Sequence, residues 1–259
     1  MIKSKFLIAI CCLLTIGFVA SAAEGDPENF KFELSGSAWI LNPSGQIQAN
    51  GAPIDLIKDL AAQQNQATFF GQFVFKPGRR HRIVIEGSPF RLGGTNTLSR
   101  TIVYHDEIYL VNETVTWNSS LNYAFGGYQY DVLSNPAGHL GFSIGGAYLG
   151  GTAEIHTVPN GVSSSKSQSI GLPLVGAEFR VFPIPHHSIF EINGSVRGME
   201  LGNYGHYLEG TGSAGLLLGH VALEGGYRAV NANLHDTKEG GSGLFLHLNG
   251  PIVSLVFRY

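Results

Sequence analysis

The stretch Ile189-Phe190-Glu191-Ile192-Asn193-Gly194-Ser195-Val196-Arg197-Gly198-Met199-Glu200-Leu201 decides how this chain is read. Phe190, Ile192, Gly194 and Val196 take one set of alternate positions; Glu191, Asn193, Ser195 and Arg197 take the other. Successive side chains of a strand point to opposite faces, so a period of two sorts these residues into an apolar and a polar face. A helix, with about 3.6 residues per turn, would scatter both sets.

The same split recurs outward from this segment. Val175, Ala177, Phe179 and Val181 oppose Glu178 and Arg180, and Val221, Leu223, Gly225 and Tyr227 oppose Glu224 and Arg228. Phe30, Phe32, Leu34 and Gly36 oppose Lys31, Glu33, Ser35 and Ser37, and Ile83 and Ile85 oppose Arg82 and Glu86. Ten strands are expected, at approximately 30–42, 66–76, 81–93, 113–131, 138–156, 167–183, 188–201, 206–218, 220–233 and 243–259, with eight as the alternative count. Short turns fall at Pro77 to Arg80, Ser134 to Gly138, Pro183 to His187 and Leu218 to His220, where Gly and Pro supply the backbone angles that a turn needs. Longer connections fall at 43–65, 94–112, 157–166, 202–205 and 234–242. The pattern is that of an all-β protein: a closed antiparallel up-and-down transmembrane β-barrel with its apolar face outward.

Composition agrees. Of 259 residues, 35 are Gly, and only 14% are charged, against about a quarter in a typical soluble domain. Residues 1–22 read as a signal peptide: Lys3 and Lys5, then an apolar run from Phe6 to Ala20, then the small-x-small site Ala20-Ser21-Ala22. The run is short for a membrane span, which needs roughly 20 residues. The barrel domain is then 23–259. Cys11 and Cys12 leave with the leader, so the remaining chain has no disulfide, thiolate metal site or cysteine nucleophile. The formal charge falls from −3 to −5, because the leader holds two lysines and no acid. An acidic chain lacks the basic face that nucleic acid requires.

The last strand carries a more specific signal. Val253, Leu255, Phe257 and Tyr259 share one face and end on an aromatic residue. This resembles the C-terminal signature of outer-membrane barrel proteins, and the whole pattern is similar to small OmpA/OmpW-type barrels. The resemblance implies recognition of these four residues by the barrel-assembly machinery, and residence among outer-membrane lipid and lipopolysaccharide. It usually ends on Phe, where this chain has Tyr259.

If the apolar face is outward, the inward set is Lys31, Arg82, Arg180, Arg197 and Arg228 against Glu33, Glu86, Glu178, Glu191 and Glu224. Buried ions are costly unless paired, so five against five implies a lumen charge network. A barrel of this size is filled by its own side chains. The expected role is structural, surface-interaction or restricted-permeability, in a monomer with a plugged lumen. A narrow passive channel, a lipid-modifying enzyme and a soluble barrel with an apolar ligand are the alternatives. His186, Ser188 and Glu200 resemble the His-x-Ser pair and Glu of lipid A deacylases, but the Ser lacks the usual following Asn, and the pair falls at a short turn. His105, His156, His206 and His235 sit near loops beside Asp106, Glu107, Glu209 and Asp236, without HxH or HExxH spacing. No catalytic residue, metal or cofactor is expected. Two loop features stand out. Ile54, Ile57, Leu60 and Ala61 have helical spacing and suit either a short helix or an irregular loop, and Thr101–Val111 reads as a hairpin with His105-Asp106-Glu107 at its tip. Ser163 to Ser167 reads as a flexible polar loop.

Overall fold

The computed structural model describes residues 26–48, 51–158, 161–184, 189–200, 202–236 and 242–259; the segment 1–22 read above as a signal peptide, His186 and Ser188 lie outside the described residues. Ten long strands form the wall: β1 (Phe32–Gln48), β2 (Gln66–Gly78), β3 (His81–Thr97), β4 (Thr114–Asn135), β5 (Gly138–Thr157), β6 (Ser163–Val181), β7 (Phe190–Glu200), β8 (Gly205–Leu218), β9 (Val221–Asp236) and β10 (Ser242–Arg258). Each pairs antiparallel with its sequence neighbour, and β10 closes on β1 from Glu33–Arg258 to Gln48–Gly243. Closure pairs the first strand with the last, as hydrocarbon requires, because an open edge strand there would find no hydrogen-bond partner.

The registers fix the geometry. A path of paired residues runs from Val181 on β6 through Ile192, Ala214, Gly225, Val253, Ala38 and Phe69. It crosses to Pro89 in the register set by Gly71–Gly87, continues through Asn122 and Gly150, and returns to β6 at Ser169, twelve residues from its start. Such a stagger goes with strands tilted by roughly 40°.

Sidedness follows the alternation. Ile192 and Val196 are 39% and 49% exposed on the outer wall, whereas Glu191 is 0% exposed in the lumen. The outward positions of β1 from Phe32 to Ile40 carry no charge, and neither do those of β6 from Pro173 to Val181 or β10 from Pro251 to Tyr259. Nine residues at about 3.3 Å each, tilted by roughly 40°, make a belt about 23 Å tall, close to the ~25 Å apolar band of such barrels.

One end has short turns. Gly219 and His220 join β8 to β9, and Gly219 takes φ 63°, which an L side chain at the first position of this tight hairpin would resist. The other end has the longer loops. The Thr101–Val111 hairpin is present as Ile102–Tyr104 against Glu107–Tyr109, with His105 and Asp106 both at positive φ.

Three expectations are corrected, on Ser163 to Ser167, Phe30 and Lys31, and the first loop takes the irregular of its two expected forms. The segment Ile54 to Ala61 forms no helix: Ile54–Asp55 bridges to β1, the Asp55 carboxylate accepts from the N–H groups of Ile57 and Lys58, and a run of turns ends at Ala61 with φ 47°. Leu56, not Ile57, packs inward. Ser163 to Ser167 belongs to β6, paired with β5 from Thr152 to His156; its one buried position, Ser164, lies beside the buried Ile155 and is filled by a small polar residue, so the strand shows no apolar alternation. Phe30 is not on the outer wall. β1 starts only at Phe32, and the preceding segment folds under the barrel, burying Phe30 and leaving Lys31 exposed.

Candidate functional site in the barrel lumen

The lumen is filled in storeys. At the short-turn end, Glu28 from the N-terminal segment accepts from Lys76 (3.1 Å), Arg82 (2.7 Å) and His139 (3.1 Å), and pairs with Arg180 at 3.4 Å. Arg82 also reaches Asp131 at 2.7 Å, and Gln129 donates to Asp131 at 2.9 Å. Arg180 and Arg258 share Glu33 at 2.9 and 2.7 Å, and Arg258 continues to Glu191 at 2.8 Å and, more loosely, to Glu224 at 3.8 Å. His139 stands 3.4 Å from Glu178. The Phe30 ring lies among these cations, 4.6 Å from the Lys76 ammonium and 5.5 to 6.0 Å from Arg82, Arg180 and Arg258. A ring face there attracts cations through its quadrupole.

A second tier lies across the middle. Arg197 donates to Glu86 at 2.6 Å and pairs with Glu209 at 3.0 Å, and Arg228 pairs with Glu209 at 2.6 Å. The hydroxyls of Tyr123 and Tyr207 donate to the same Glu209, at 3.0 and 3.2 Å. Arg197 lies over Phe125 at 4.2 Å and Arg228 over Phe70 at 4.3 Å, so the guanidinium faces are covered as well as their edges. Between the tiers is a polar chamber of about 100 Å³, edged by Ser35, Ser37, Asn193, Ser195, Ser213 and Ser254.

The long-loop end is apolar. Trp39, Leu41, Phe90, Leu92, Val115, Trp117 and Ile155 face inward from the wall, and Ile54, Leu56 and Leu60 descend from the first loop. Trp117 donates its indole N–H to the Leu60 carbonyl at 2.9 Å. Gly94 lets this loop approach: a Cβ there would stand 2.4 Å from the Leu60 and Ala61 carbonyl oxygens. The small hairpin folds over the mouth, with Tyr104 and Tyr109 donating to the Ala153 and Ile155 carbonyls. Burial pushes the Tyr109 phenol up to about 12. Arg100 clamps the two loops together, donating to Asp59 at 2.5 and 3.0 Å and to the Pro53 carbonyl. That hydrogen bond holds the Asp59 carboxyl below its usual value.

Nine of the ten residues expected in the charge network line the lumen: Glu33, Arg82, Glu86, Glu178, Arg180, Glu191, Arg197, Glu224 and Arg228. Lys31 does not; it is exposed, for the reason that buries Phe30. Glu28, Lys76, Asp131, His139, Glu209 and Arg258 were not anticipated. Arg258 was legible, since it alternates with Phe257 and Tyr259; Glu28 precedes the first strand and gave no periodic signal. Val253, Leu255, Phe257 and Tyr259 all face outward on β10. Glu200 ends β7 at the far end from Phe190, about 33 Å away at strand rise, on the long-loop side of the barrel. Among the described residues, no three His, Cys, Asp or Glu side chains converge as a metal group. His156 and His206 sit on the rim, paired in register with Ser163 and Glu200, while Glu209 turns into the lumen.

A closed ten-stranded barrel with an uncharged outer belt and a filled interior is a transmembrane β-barrel of the bacterial outer-membrane type. No protein-family model and no curated protein sequence matches the chain. Among solved structures it is similar to the outer membrane protease OmpT from Escherichia coli, with a TM-score of 0.59 and 12% identity over 95% of this chain and 99% of that one. It also matches Ail, the attachment invasion locus protein of Yersinia pestis, at a TM-score of 0.38 and 11% identity over 88% and 99%. The P. putida toluene transporter TodX matches at 0.33 and 7% over 88% and 90%. At these identities OmpT supports the shared architecture and nothing finer.

Proposed function

We propose that the protein is a sealed, monomeric barrel of the Gram-negative outer membrane, a rigid support that presents its long loops at the cell surface and conducts no solute. The observation that carries this reading is the filling of the lumen by two ion-paired tiers below an apolar plug, with Arg82, Glu86, Arg180, Glu191, Glu209 and Arg228 all buried. In this reading residues 1–22 are removed on export, the short turns face the periplasm, and Val253, Leu255, Phe257 and Tyr259 are read by the assembly machinery. It needs no catalytic residue or cofactor. Planar-bilayer recording of the refolded protein tests it: the reading expects no current steps above the bare bilayer, and steady ion-selective steps would reject it.

The chamber between the tiers favours one second reading, restricted permeability, in which the tiers act as gates. Conductance that appears only on displacement of the first loop would support it.

A further inference from the structure

At one place in the wall two neighbouring strands run side by side without a ladder. β2 and β3 pair up to Gly71–Gly87 and then stop. Yet β2 continues to Gln66, still paired with β1 at Leu41, and β3 continues to Thr97, still paired with β4 at Thr114. The cause is Pro89, which has no N–H to offer across the gap. The Ser88 hydroxyl donates to the Phe69 carbonyl instead, at 2.6 Å, and the Thr68 hydroxyl donates to the Pro89 carbonyl at 2.6 Å. Above these stitches the backbones stay apart until the Gln63 N–H reaches the Gly93 carbonyl at 2.9 Å. Beside β6 the ladder to β7 stops at Gly198–Val175, with Pro173 standing opposite Glu200 in that register, and there β7 ends within two residues, so β6 overshoots its neighbour instead of running alongside it.

A groove of about 500 Å³ lies over this slit, reaching down to Leu92 and edged by Gln63, Gln66, Arg91, Thr95 and Asn118. It sits where the apolar belt ends. Phe69, just below, is 61% exposed, and Arg91 is exposed and joins no carboxylate among the described residues. The Gln66 side-chain oxygen is buried without a hydrogen-bond partner. A lone cation, several amide and hydroxyl groups, and an apolar ramp below them together match an amphiphile with an anionic, hydroxyl-rich head.

We propose that this groove binds one phosphorylated glycolipid of the outer leaflet, with a phosphate on Arg91, sugar hydroxyls on Gln63, Gln66, Thr95 and Asn118, and an acyl chain along Phe69 and Pro89. The proposal rests on the orientation given under the proposed function, which puts the long-loop end at the cell surface. Charge-assisted contacts to a phosphate are the strong ones in such a site, and small-molecule sites span roughly this volume.

The test reconstitutes the protein in phosphatidylcholine vesicles containing either bis-phosphorylated lipid A or phosphatidylglycerol, and counts retained lipid by native mass spectrometry. The expected result is one lipid A per barrel in preference to phosphatidylglycerol. Retention should fall roughly tenfold in Arg91→Gln, corresponding to one lost charge-assisted contact, recover in part in Arg91→Lys, and not change in Lys31→Gln. Pro89→Val, which returns an N–H opposite Phe69, should close the slit and lower retention severalfold while unfolding stays cooperative. Equal retention of phosphatidylglycerol, indifference to both Arg91→Gln and Pro89→Val, or no retained lipid overturns the proposal. None of those outcomes bears on the sealed lumen, which conductance tests separately.

Discussion

Arg197→Ala perturbs the middle tier at its hub. Arg197 is the cation that pairs with Glu86 among the described residues, and its removal leaves that carboxylate with the Gln72 amide at 2.9 Å and no ion pair among them. Glu209 fares better, since Arg228, Tyr123 and Tyr207 still hold it. Breaking a buried pair by deleting one partner costs about 3–5 kcal/mol, because the other charge is left uncompensated. With one amide still bonded to Glu86, the lower end applies, so about 3 kcal/mol is expected. The assay is equilibrium unfolding in urea from lipid vesicles, followed by Trp39 and Trp117 emission and by heat-modifiable gel mobility. Arg197→Ala combined with Glu86→Gln removes the stranded charge and should recover a large part of the loss. A cost under about 0.5 kcal/mol, the range of surface substitutions, or a double variant no more stable than the single one, refutes the reasoning.

Other consequences follow from the same geometry. The Asp59 carboxyl is held below its usual value, so its contribution to loop docking is complete above the unfolded value of about 3.9 and is lost as pH falls through the lower folded value. Quenching of Trp117 by acrylamide should therefore rise only below about pH 4, and Arg100→Ala should shift that rise to higher pH; a pH-independent signal would contradict the clamp. Gly94→Val puts side-chain atoms where the Leu60 and Ala61 carbonyls pack; it should expel the first loop and shift Trp117 emission to the red, and unchanged emission would count against the plug. Ile192→Arg places a cation on the outer belt and should cost about 2–4 kcal/mol near the bilayer midplane, measured by the same urea titration. An unaffected midpoint would place Ile192 outside the hydrocarbon.

Much of the barrel was legible because a strand wedged between lipid and a polar lumen must alternate. Phe190 to Arg197 reads the same in sequence and in space. Legibility ends where that constraint ends. Above the belt, Ser163 to Ser167 pair as a strand while reading as a loop, since the one buried position there, Ser164, is a small polar residue and leaves no apolar pattern. Below it, Phe30 and Lys31 swap faces because the chain there is no longer extended along the wall. The charge network was half visible. Alternation finds Glu191 and Arg228, but Glu28 enters the lumen from outside any strand, and His139 counts as a member only because Glu28 and Glu178 flank it. Leu56 and Leu60 plug the mouth through loop geometry that spacing does not encode, whereas Pro89 in the middle of an alternating strand was a readable mark of the unpaired wall.

Single-cysteine labelling tests the sealed lumen most directly, since Cys11 and Cys12 are the only cysteines and both precede the first strand; replacing them by Ser clears the background. Ser195→Cys lines the chamber between the tiers, and Val196→Cys faces the outer wall. In sealed vesicles, a membrane-impermeant maleimide applied from both sides should leave both unmodified, since the chamber excludes the reagent and hydrocarbon keeps the outer thiol protonated, and unfolding in urea should make both reactive. Rapid modification of Ser195→Cys by the impermeant reagent would mean that water and solute cross the lumen, and the barrel would be a pore.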